Sequence, residues 1–222
     1  MTVRPLMLVA LLTLAGCGSA AQPPSSPSAA SAAPSSVLPS TPPGAVPAPK
    51  PATLDPRTSA LLVLDTTTRC EDPKQPCSRL VPALVPLLDK ARAAHVFIVY
   101  SASGSAGDPA GLPWKGFDAR PDEPVIYPAA YDKFFSGELK PLLDAHGAKT
   151  LVVTGASTNV AVMYTATSAV RNYRYQVVIP EDGAIAANSY EHDYALHQLS
   201  VLTSSSAKDT SFTTIGQLSF SS

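Results

Sequence analysis

From residue 57 onward the chain alternates short, continuously apolar runs with longer stretches whose apolar positions recur three and four apart. The runs at 59–65 (SALLVLD), 95–101 (HVFIVYS), 151–154 (LVVT) and 176–180 (QVVIP) have the character of strands buried on both faces. Between the first two, Leu80, Leu84, Leu87, Leu88 and Ala91 fall on one side of a helix predicted over 78–93. Pro82 suits its first turn, while Pro86 implies a kink or a later start. Further helices are predicted over 137–146, stopped by Gly147, and over 158–172 and 190–199. Brief strands at 124–127 and 200–203 complete the pattern, and the polar stretch 102–123 reads as a long loop. Strands alternating with helices predict a three-layer α/β sandwich, a mostly parallel sheet flanked by helices. Right-handed crossovers then gather the strand C-termini on one edge, where open sheets of this kind bind their ligands. Asp65, Ser101 and Gly155 fall on that edge. A carboxylate ending a buried strand can act as a general acid or base, or simply cap the loop that follows.

The pattern breaks down before residue 57. Arg4 precedes an apolar run at 6–14 that is too short to span a bilayer and has the layout of a secretory signal over 1–16. Leu14-Ala15-Gly16-Cys17 resembles the lipobox of bacterial lipoproteins, which implies a lipidated Cys17 at the start of the mature chain. Gly18 after it is compatible with an outer-membrane location facing the periplasm, if the source is Gram-negative. Residues 17–56 are dominated by Pro, Ser and Ala and predict a disordered tether, which leaves 57–222 as the folded domain.

Composition narrows the partners. The formal net charge is −1, so no basic field exists to attract nucleic acid, and membrane contact is expected through the lipid alone. In an exported protein Cys70 and Cys77 are expected to pair as a disulfide in the loop after Asp65. The alternative makes Cys70 a nucleophile close to Asp65, which an oxidised pair excludes. His95, His146, His192 and His197 show no zincin spacing, and neither a G-x-S-x-G elbow nor a phosphate loop occurs. Trp114, in the long loop beside Phe117, either lines a pocket mouth or anchors the loop on the core.

LLVLD at 61–65, YDKFFSGELKPLLDAHGAKTLVVTG at 131–155 and STNVAVMYTATSAVRNYRYQVVIPEDG at 157–183 together resemble the isochorismatase-like (cysteine hydrolase) superfamily. The resemblance implies an Asp, Lys and Cys machinery with backbone amides holding an oxyanion. Asp65 matches the Asp, but the Cys position falls on Ala161 and the Lys position on Pro128. Lys133, five residues further on, is a candidate replacement, or else a solvated residue at a helix start. The turn Gly155-Ala156-Ser157-Thr158 is expected to keep the anion-binding amides near Ala161, and a cis peptide at Ala156–Ser157. Ser157 and Thr158 also suit simple helix capping. Nicotinamidase-type relatives bind a metal through histidines in the loop after the second strand; residues 102–123 have none, so no metal or other cofactor is expected. Two readings stay open. One is a hydrolase of a small non-peptide substrate with Asp65 as acid/base; the other is an inactive relative that binds a small molecule or protein in the same cleft. Export argues against isochorismate, an intracellular metabolite, as substrate, and relatives often associate, which makes a homo-oligomer a further expectation.

Overall fold

The computed structural model describes residues 44–102, 106–202 and 209–221. The expected signal peptide, Cys17 and most of the expected tether lie outside the described residues. Its main sheet is built from β2 (Ser59–Leu64), β3 (Phe97–Ser101), β4 (Val125–Ile126), β5 (Thr150–Ala156), β6 (Gln176–Pro180) and β8 (Thr210–Thr213). Their spatial order is β4-β3-β2-β5-β6-β8, every pairing is parallel, and the short β7 (Ala184–Ile185) pairs with the end of β5.

Every residue of β2 is buried, because it lies at the centre of a sheet covered on both faces. Leu62 and Leu64 point to one face, where they meet α2 (Leu139–His146), α3 (Met163–Tyr173) and α4 (Ser189–Val201). Leu61 and Val63 point to the other, against α1 (Val81–Ala93). The register pairs Leu64 with both Ser101 and Gly155, so the chain leaves all three central strands at one level. Asp65 is the next residue, and that level is the floor of the candidate site.

The helix predicted over 78–93 begins at Val81, after a 3₁₀ turn at Pro76–Arg79, with Pro82 in its first turn and Pro86 in its interior. The helix predicted over 158–172 opens with a π turn at Thr158–Val162 before α3. Gly147 closes α2 in the left-handed conformation with φ 69°. Trp114 packs edge-on against Phe117 at 5.1 Å and joins the α1-side core, which makes it an anchor of the loop. That loop is also tied down by Arg92 of α1, which donates to Phe117 O, Asp118 O and the carboxylate of Glu123.

Two expectations are corrected. The strand predicted at 200–203 is helical where it is described: Ser200 and Val201 complete α4, Leu202 N still donates to Gln198 O, and the next strand among the described residues is β8. A short run such as Ser200-Val201-Leu202 suits either state, and the helical ladder already in progress wins. The domain also starts earlier than residue 57. Val46 packs on the core, Lys50 N donates to Phe212 O, and β1 (Ala52–Leu54) pairs in parallel with β9 (Leu218–Phe220). Residues 44–56 of the expected tether are therefore held by the fold, through a strand too short to be recognised without its partner.

Candidate active site

Asp65 sits one residue past β2 with φ 49°, a left-handed conformation that a non-glycine residue adopts only when its surroundings fix it. The surroundings here are Ser101: Asp65 N donates to Ser101 O at 3.0 Å, and Ser101 Oγ donates to Asp65 Oδ1 at 2.8 Å. The other carboxylate oxygen, Oδ2, faces Lys133 Nζ at 2.7 Å. The Lys133 side chain is 2% exposed and that of Asp65 17%, so the ammonium lies beneath and the carboxylate nearer the opening.

Lys133 reaches this place because its turn is fastened on both sides. Its backbone N donates to Thr165 Oγ1 on α3, and Nζ also donates to Ala130 O at 3.1 Å. Asp132 accepts from Phe134 N, and the Phe134 ring is buried against Tyr173 at 4.4 Å. A buried ammonium is tolerated only with a counter-charge and satisfied donors, and Asp65 with the Ala130 carbonyl supplies them.

The third wall is the turn after β5. Gly155 has φ 120°, and a Cβ there would lie 2.0 Å from Leu64 O, so only glycine lets β5 approach β2 at this level. The Ala156–Ser157 peptide is cis, as the family resemblance implies. Ser157 O accepts from Val160 N and Val162 N, which winds the following turn. Thr158 is fully buried with Oγ1 2.8 Å from His192 Nδ1, and burial holds that imidazole below its ordinary pKa. Ala161 is buried in the core.

These walls enclose an open cavity of about 460 Å³. Asp65, Lys133 and Ser157 line it together, whereas Gly155, Thr158 and Ala161 sit behind its surface. Pro128 lines it as well, so the residue at the family's lysine position does face the site, without an amine. Cys70 and Cys77 are joined in a disulfide beside the cavity, which removes Cys70 as a nucleophile. Sequence reasoning missed Arg69, Gln75, Tyr131 and Val160, which also line it. Among the described residues no group of three or more His, Cys, Asp or Glu is placed to hold a metal.

A parallel sheet carrying a carboxylate–ammonium pair at its strand C-termini, beside a strand-to-helix turn, places the molecule in the isochorismatase-like class of α/β proteins. Residues 59–208 match the Isochorismatase domain, and the chain belongs to that family. Among solved structures it is similar to an isochorismatase family protein from Burkholderia thailandensis, at 21% identity and TM-score 0.63 over 76% of this chain and 97% of that one. An isochorismatase-like hydrolase from Alkaliphilus metalliredigens matches at 24% identity and TM-score 0.61, over 72% and 96%. The nicotinamidase of Staphylococcus aureus matches at 22% identity and TM-score 0.60, over 70% and 97%. At these identities the likeness is one of fold. No curated protein sequence matches the chain at a significant level.

Proposed function

We propose that this protein hydrolyses a small non-peptide substrate, with Asp65 as general acid/base and Lys133 in the role that the resemblance gives to a lysine at Pro128. The observation that carries the reading is the 2.7 Å contact between Lys133 Nζ and Asp65 Oδ2 at the floor of the cavity. A lysine displaced by five residues in sequence still delivers its ammonium to the strand-end carboxylate. Because Ala161 offers no nucleophile, water takes that part. Asp65 accepts a proton from water as it adds to the substrate carbonyl, Lys133 holds the carboxylate in place, and backbone N–H groups of the 155–161 turn favour the oxyanion. Asp65 then returns the proton to the departing group.

The test is a screen of small amides and esters with the parent, Asp65→Asn and Asp65→Glu. Turnover is expected to fall about 100-fold or more in Asp65→Asn. Circular dichroism checks that the variants fold, and equal rates in parent and variant remove the catalytic role. A second reading is favoured by the burial of Ala161 in the core: an inactive relative that binds its ligand in the same cavity. Saturable binding without turnover of any screened compound supports it over the first.

The reading extends to an exported protein lipidated at Cys17 and held on the membrane by that anchor. The Cys70–Cys77 disulfide accords with an oxidising compartment. Labelled palmitate should be incorporated into the parent and not into Cys17→Ser; equal labelling in both discards the anchor.

A further inference from the structure

The cavity holds one more charged group than the chemistry above uses. Arg69 lines it, its side chain is exposed, and none of the ion pairs among the described residues involves it. Of the other charged groups lining the cavity, Asp65 pairs with Lys133, and beside Arg69 in sequence Glu71 pairs with Lys115. The lining therefore carries one positive charge in excess.

The backbone beneath Arg69 is fixed rather than loose. Thr68 N donates to Leu112 O and Thr68 Oγ1 to Pro109 O, while Cys70 N donates to Thr67 O. Cys70 is buried and bonded to Cys77, so a covalent link holds the residue next to Arg69. A planar guanidinium presented from a braced turn, beside a cavity of this size, suits donation of two parallel hydrogen bonds to a carboxylate.

We propose that Arg69 is a specificity-determining residue and that the cavity selects small organic carboxylates, the acid group on Arg69 and the rest of the molecule reaching toward Asp65 and Lys133. This rests on the reading of the cavity as the site for a small molecule, and it is tested by binding alone, so that it stands or falls separately from turnover. N-acetylglycine and its neutral counterpart N-acetylglycinamide are titrated into the full chain, exported and carrying its disulfide, and followed by the amide resonances of Ser157 and Tyr131. The acid is expected to bind at least fivefold tighter than the amide. Arg69→Gln should abolish that preference by weakening the acid alone, and Arg69→Lys should restore part of it. Methyl phosphate serves as a further arm, expected to bind more weakly than the acid. Equal binding of acid and amide, a preference that survives Arg69→Gln, no binding of either compound, or phosphate binding tenfold tighter than the acid would each overturn the proposal. Loss of the acid/base reading, through equal rates in Asp65→Asn, leaves the binding preference untouched.

Discussion

Lys133 brings a positive charge to a place that water barely reaches, and the whole local design answers that cost. Removing its charge by Lys133→Met leaves Asp65 without its counter-ion, and the fold should lose about 3–5 kcal/mol in urea unfolding. The double variant Asp65→Asn/Lys133→Met should recover part of that loss, since the two charges act as a unit; strict additivity would show that they do not. His192 gives a second prediction. Burial lowers its pKa in the fold, so below the ordinary value of about 6.5 the unfolded chain binds more protons than the folded one. Stability contributed by neutral His192 is therefore present above that pH and is lost as pH falls through it toward the lower folded value. A thermal-midpoint profile should show this decline in the parent and a shallower one in His192→Gln. At this scale a strand end and a family motif drew Asp65 from the sequence, while Lys133 entered only as a candidate replacement for the lysine missing at Pro128. Arg69 and Gln75 stayed hidden, because a loop residue faces a cavity only through the loop's path, and no periodicity encodes that path.

The elements that carry the site differ in how they announce themselves. β2, β3, β5 and β6 were legible as uninterrupted apolar runs, since a strand covered on both faces has no solvent side to encode. β1, β8 and β9 were not: three or four residues such as TSFT or LSF mean little until a neighbour supplies the ladder. The loop after β2 adds a crosslink to its core contacts. Replacing Cys77 by Ser should cost about 2–3 kcal/mol in chemical unfolding, the loss falling largely on the 68–79 segment in hydrogen exchange. The loop after β3 relies on charge. Burial alone would raise the pKa of Glu123, but the Arg92 guanidinium and the Arg120 N–H hold it below the usual range. That stability is present above the ordinary carboxylate range and is lost as pH falls through the lowered folded value.

For the molecule as a whole, the notable fact is where the folded unit begins. A chain starting at Gly44 keeps Val46 on the core and β1 on β9, whereas one starting at Arg57 keeps neither. The shorter chain should melt about 5–10 °C lower, equivalent to about 2–3 kcal/mol; equal midpoints would show that β1 contributes nothing. The pairing of β1 with β9 has one more consequence. Ser221 N donates to Leu54 O, Ala52 N donates to Gln217 O, and Lys90 Nζ fastens the carbonyls of Ile215 and Leu218 to α1. A pull on the chain from its N-terminal side meets contacts in order: Val46 on the core, the Lys50 N hydrogen bond to Phe212 O of β8, and then the β1–β9 ladder. All of these contacts must give way before the force passes whole to β2, the strand that ends at Asp65.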